Sequence, residues 1–224
     1  SETWGSIGSP SARCGVTGFR PSFGRVSRHG AMALSWTMDK IGPICRSAED
    51  CAIVFYAIHG NDGLDPSLID APFQYDPAIE PKKLRLGYLE KAFEGDKPEQ
   101  ADARKALETF RQLGFEPVPI QLPNFPVEAL SFILNVEAAA AFDELTRSNR
   151  DDELVKQERW SWPNIFRAHR LVPAVEYIQA NRHRTLLIQE MAQFMKTIDV
   201  YIAPTHDNQN NSLATNMTGL PAIF

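Results

Sequence analysis

The chain has 224 residues, 43% of them hydrophobic and 23% charged, with 13 glycines and 16 prolines, a globular composition that excludes a collagenous, fibrous or largely disordered polypeptide. Its formal charge of −5 argues against a duplex or polyphosphate as the main partner, because such partners need a basic stripe. No uninterrupted apolar run is long enough to cross a membrane; the nearest, Val136 to Phe142, is short and carries Glu137.

By length the chain makes one large or two small domains. Residues 1–60 hold eight of the glycines together with Pro10, Pro21 and Pro43, which predicts tight turns and close backbone approaches. Ser47, followed by Glu49 and Asp50, caps a predicted helix to about Gly60 that buries Cys51, Val54, Phe55 and Ile58. Asn61 to Pro81 reads as an exposed connection. Leu84, Leu86 and Tyr88 alternate as a strand, and Pro98 opens a helix with an apolar stripe from Ala103 to Leu113, stopped by Gly114. Phe115 to Leu122 reads as an edge strand, since Pro117 and Pro119 cannot donate to a ladder, and the three elements form a right-handed crossover.

A long helix is expected from Val127 to about Arg147 and another from Pro173 to about Thr197. Asp199 to Ala203 reads as a short buried strand, and Thr205 to Ser212 as a polar loop. Residues 61–160 hold 20 of the 28 acidic side chains, a solvated face. Because Ser1 is not methionine and Leu220 to Phe224 ends where a strand should continue, the chain reads as an internal piece of a longer protein.

The chemistry concentrates near residue 6. Thr3-Trp4-Gly5-Ser6 offers consecutive main-chain N–H groups beside a hydroxyl, the arrangement a nucleophile with an oxyanion hole needs. Glycine-serine turns are common, so the spacing alone is a weak signal. The stretch continues as Cys14-Gly15-Val16-Thr17-Gly18-Phe19-Arg20-Pro21, Gly24-Arg25-Val26-Ser27 and Met38-Asp39-Lys40-Ile41-Gly42-Pro43. Over residues 1–60 this resembles the amidase signature family, whose pattern runs G-S-x-T-G-G-S-I-R-x-P, then C-G-V-x-G-x-K-P-T-x-G-R-V-S and S-x-D-x-x-G-P. Tyr177 to Arg184, Asp199 to Thr205 and Asn216 to Pro221 are similar to later segments of that family.

The resemblance implies an α/β fold, an α/β/α sandwich around a mixed sheet that is incomplete in this piece. Residues 1–224 would be the carboxy-terminal part of a single amidase-signature domain, with 1–60 carrying the signature and active-site loops and 61–224 the helices and strands completing the sheet. It implies an amidohydrolase with a Ser, cis-Ser, Lys triad. Ser6 would be the acyl-forming nucleophile, and the backbone N–H groups of Thr3, Trp4, Gly5 and Ser6 would form the oxyanion hole. The lysine and cis-serine lie upstream of the signature, so this chain alone is not expected to turn over substrate. The implied partner is a small-molecule amide, with no cofactor, no metal, no nucleic acid and no membrane segment, and a homodimer left open.

Two positions depart from the pattern. Trp4 replaces the first glycine of the Gly-Gly pair, and its indole is expected to narrow the substrate entrance. Gly8 stands where the family commonly has arginine, which predicts tolerance of neutral rather than anionic acyl groups.

Other residues read as structural. Cys14 is expected to be a buried small residue, and Asp39 and Arg46 to pair or to anchor a turn. Lys40, the nearest lysine, carries little weight. Trp160 and Trp162 read as packing groups. Three cysteines, odd in number, favour a reducing, cytoplasmic compartment. His29, His59, His169, His183 and His206 show no ligand spacing. The alternatives are the A subunit of an amidotransferase acting with charged glutaminyl or asparaginyl transfer RNA, a Ser-His-Asp hydrolase, and a non-catalytic amidase homologue.

Overall fold

The structure, a computed structural model, describes residues 1–76, 78–96, 98–205 and 210–224, without the side chain of Glu99. Ser6 and Ile7 lead directly into a short helix, α1 (Gly8–Cys14), which Gly15 closes at φ 63°. Gly-Ser-Pro is a poor helical opening, which is why the sequence suggests only turns here. The helix is held by tertiary packing against β1 (Thr17–Arg20): a Cβ on Gly18 would lie 2.3 Å from Ser11 Oγ. Cys14, at the far end of α1, is exposed rather than buried, because the face of α1 that β1 covers is the one carrying Ser11.

β1 pairs antiparallel on one side with β2 (Ile44–Cys45) and on the other with β6 (Ala222–Ile223), in the register Phe19 to Ile223. α2 (Ala48–Ile58) follows, with Ser47 Oγ accepting the Asp50 amide at 3.1 Å as the cap predicts. It buries Cys51, Ala52 and Phe55, whereas Val54 and Ile58 stay 38% exposed: only one flank of the apolar stripe meets β1.

The second sheet is parallel, with β4 (Val118–Ile120), β3 (Leu86–Leu89) and β5 (Val200–Ile202) in that order. α3 (Pro98–Gln112) joins β3 to β4, and the proline-bearing β4 takes the edge. Leu89, Ala92, Phe93 and Leu107 form the core beneath it. The antiparallel and parallel strands face each other across a groove of about 450 Å³ lined in part by Leu86, Ile202, Ala222 and Phe224.

The expected helix over 127–147 is divided into a 3-10 turn (Val127–Leu130), α4 (Phe132–Ala141) and α5 (Asp143–Arg147). Phe142 breaks it, leaving helical geometry at φ −108°, ψ 24° while its ring stacks on Phe166 of α6 (Trp162–His169). α7 (Ala174–Phe194) begins after Pro173, as the sequence predicts. α8 (Asn211–Met217) occupies the end of the segment read as a loop; 206–209, with His206, lie outside the described residues.

α4, α7 and α8 enclose the main core, built from Ile133, Leu134, Leu187, Met191, Leu213 and Met217. Met38, wholly buried, reaches into this core from the loop after residue 34. That loop is thereby fixed to the helices, and it is the support for the segment around Ser6. Among the described residues no helix is long and apolar enough to cross a membrane.

Candidate active site

Glu2 begins the site. Its backbone forms an antiparallel bridge with Lys40, Glu2 N–H donating to Lys40 O at 2.7 Å and Lys40 N–H to Glu2 O at 2.9 Å. Thr3 is fixed next: its Oγ1 donates to Asp39 Oδ1, while Asp39 Oδ2 accepts the Leu34 and Ser35 amides at 2.8 and 3.0 Å. Asp39 therefore anchors a turn, as its sequence context suggests, and ties that turn to the strand of residues 2–3. Arg46, the other residue of that reading, lies on the exposed surface.

Beyond Thr3 the chain turns through Trp4 and Gly5. Trp4 is 47% exposed, and Gly5 adopts φ +89°, a left-handed conformation that the glycine accommodates without strain. Ser6 follows, exposed, and Ser9 N–H then donates to Gly5 O at 2.8 Å as α1 starts. Among the described residues none of the amides of Thr3, Trp4, Gly5 and Ser6 donates to a protein acceptor, and Ser6 Oγ has no hydrogen-bond partner. The four N–H groups named from the sequence are contiguous and unengaged beside the hydroxyl.

The two amides after Ser6 are engaged. Glu2 Oε2 accepts Ile7 N–H at 2.8 Å and Gly8 N–H at 3.1 Å. Glu2 Oε1 accepts Arg20 Nη1 at 2.8 Å and Asn216 Nδ2 at 3.0 Å. Neither Glu2 nor Arg20 is exposed. Burial alone would raise the Glu2 carboxyl, but the Arg20 guanidinium, with the Ile7 amide and Asn216 Nδ2, holds it well below the usual range, at about 2. Gly8 lies flat against the Phe224 ring, where a Cβ would approach to 2.7 Å, and the Arg20 guanidinium sits 5.8 Å from the centroid of the same ring.

Lys40 is 3% exposed, with its ammonium nitrogen donating to Met38 O. Burial, reinforced by Arg20 and Arg184 and opposed by Glu2 and Asp39, brings it down to about 7. A second layer supports the loop. Glu137 of α4 accepts from Ser35 Oγ, Thr37 N–H, Thr37 Oγ1 and Tyr177 OH, and Arg184 of α7 donates to Thr37 Oγ1, Thr37 O and Met217 O.

Glu2, Arg20, Asn216, Glu137 and Arg184 do not stand out in the sequence as site residues. Glu2, Arg20 and Glu137 are visible as charges within glycine-rich or apolar stretches, and Arg20, Arg184 and Asn216 as members of the segments that resemble the family. The described histidines do not converge on Ser6: His59 Nδ1 lies 2.9 Å from Tyr56 O and His169 Nδ1 2.9 Å from Ile165 O, while His29 and His183 are exposed. The arrangement can stabilise negative charge on an oxygen placed beside Ser6, while no side chain among the described residues bonds Ser6 Oγ as a base would.

The profile of the amidase family matches residues 1–216. The chain belongs to the amidase signature family. It is similar to the A subunit of the glutamyl-tRNA(Gln) amidotransferase of Roseiflexus castenholzii, at 31% identity over 92% of this chain and 47% of that protein. Among solved structures it is similar to one from a vestigial protein complex bearing on the origins of an s-triazine catabolic enzyme, with a TM-score of 0.80, 24% identity, and coverage of 99% of this chain and 53% of the other. A bacterial aryl acylamidase of the amidase signature family matches with a TM-score of 0.73 and 18% identity, again over 99% and 53%. The chain has the α/β fold of this family and spans about half the length of the curated relatives it matches.

Proposed function

We propose that this chain carries the nucleophile and oxyanion hole of an amidohydrolase cleaving the C–N bond of a small-molecule carboxylic amide. The observation that carries the reading is the run of four unengaged amides, Thr3 to Ser6, ending at an exposed serine hydroxyl in an amidase-signature chain. Ser6 Oγ attacks the carbonyl carbon while a base outside this chain, the family's lysine acting through its cis-serine, takes the hydroxyl proton. The carbonyl oxygen becomes an oxyanion that accepts from the amides of Thr3, Trp4, Gly5 and Ser6. Collapse breaks the C–N bond, the leaving nitrogen receives the proton, and water then hydrolyses the Ser6 ester. Trp4 narrows the approach to this centre. The reading carries with it a cytoplasmic location and leaves a homodimer as an open assembly.

The test is labelling of the full-length protein with a fluorophosphonate. Covalent modification at Ser6, lost in Ser6→Ala, is the expected result; modification elsewhere, or none, overturns the assignment. A second reading, the A subunit of an amidotransferase, is favoured by relatives such as the one from Roseiflexus castenholzii. It predicts co-purification with a partner protein on which amide turnover depends, whereas the hydrolase turns over its amide alone.

A further inference from the structure

The Ser6 loop is closed by a side chain belonging to the loop itself. Glu2 stands at its entrance, held by the bridge to Lys40, and its carboxylate reaches across to the amides of Ile7 and Gly8 at its exit. With Arg20 Nη1 and Asn216 Nδ2 on the other oxygen, four donors fill the carboxylate's acceptor sites. Because this group takes up the amides on the far side of Ser6, the turn is braced without using those of Thr3 to Ser6. A buried carboxylate persists only when its charge is matched, and Arg20 of β1, itself anchored by Leu220 O at 3.1 Å, matches it.

We propose that Glu2 and Arg20 are the positioning pair of the nucleophile turn, Arg20 supplying from β1 the cation that matches the buried Glu2 carboxylate. This rests on the reading of Ser6 as nucleophile. An arginine at position 8 would have to displace the Phe224 ring, which would meet its Cβ at 2.7 Å. Arg20 instead lies over that ring and under the turn. Asn216, from the end of α8, completes the set and connects the turn to the helical core.

The experiment measures the saturating fluorophosphonate labelling rate at Ser6 and the half-saturating probe concentration, per folded molecule of full-length protein. Glu2→Gln, which turns one acceptor oxygen into a donor, is expected to slow saturating labelling about ten- to hundredfold while half-saturation moves less than about threefold. Arg20→Met should match it, and Arg20→Lys, which keeps the charge, should recover most of the loss. A merely structural role would reduce the folded fraction and leave the rate per folded molecule unchanged.

If Glu2→Gln does not fold, the neutral pair Glu2→Gln/Arg20→Met is read the same way. If that too is unfolded, Asn216→Ala, which removes one donor of four, is expected to slow labelling by about three- to tenfold. Wild-type rates in whichever variant folds overturn the pairing. A wild-type protein unlabelled at Ser6 instead overturns the nucleophile, so the two failures are distinct.

Discussion

Thr3 donates through Oγ1 to Asp39 Oδ1, and Asp39 thereby joins the first residue of the candidate oxyanion loop to the Leu34–Ser35 turn, whose amides occupy its other oxygen. A neutral amide cannot serve all three donors, so Asp39→Asn should turn its NH₂ toward Thr3 or toward the two amides. The expected cost is about 2 kcal/mol in urea unfolding of the full-length protein, against about 1 kcal/mol for Thr3→Val. Because the strand of Thr3 moves with the turn, Asp39→Asn should also lower kcat by about tenfold. Equal stability in Asp39→Asn and wild type would dismiss the anchor.

Lys40 gives the fold a pH dependence. Its amine is brought down to about 7 from an ordinary value of 10.5, chiefly by burial. Below about 7 both folded and unfolded chains bind the proton, and the fold bears a buried ammonium. Between the two values the unfolded chain binds more protons, so stability rises with pH and levels off above 10.5. Chemical unfolding at about pH 9.5 should therefore exceed that at about pH 7.5 by about 2 kcal/mol, and Lys40→Met should flatten the rise. A slope that survives the substitution would assign it to other groups.

The contrast between what is readable in the sequence and what is not has a physical pattern. Thr3 to Ser6, Gly5 above all, follow from local backbone demands, and those are written in adjacent residues. The Glu2–Arg20–Asn216 cluster joins positions 18 and 214 apart in the chain, which no local pattern encodes. Helical periodicity runs unbroken through Phe142, so the break there depends on a ring contact with Phe166 that only packing supplies. Period likewise marks Val54 and Ile58 as apolar without revealing that β1 covers only part of their stripe. Burial of Lys40 and exposure of Cys14 are decided by neighbours distant in sequence.

Tyr177 tests the second layer. Its phenol donates to Glu137 Oε1 at 2.7 Å, and burial together with that bond pushes it up to about 12. Tyr177→Phe removes one of the donors to Glu137 but leaves Ser35 Oγ, Thr37 N–H and Thr37 Oγ1 in place. The expected loss is about 1 kcal/mol in urea unfolding, whereas Glu137→Leu, which strands all four donors and uncouples Arg184's neighbour Thr37, should cost about 3 kcal/mol or more. A Glu137→Leu protein as stable as Tyr177→Phe would remove Glu137 from the support of the loop.

On the proposed hydrolase reading, the acyl preference follows from which cations reach Ser6. Arg20 is 1% exposed and engaged by Glu2 and Leu220, Arg28 is engaged by Asp65 and Ser67, and position 8 carries no side chain. No free guanidinium therefore meets a substrate carboxylate beside Ser6 from these three positions, while the half-exposed Trp4 offers an apolar surface there. The full-length enzyme should favour an uncharged amide over its carboxylate analogue by about tenfold in kcat/KM, equivalent to about 1.4 kcal/mol of transition-state binding. Comparing the two substrates at constant ionic strength decides the matter: preference for the anion would show that a cation outside this set serves the site.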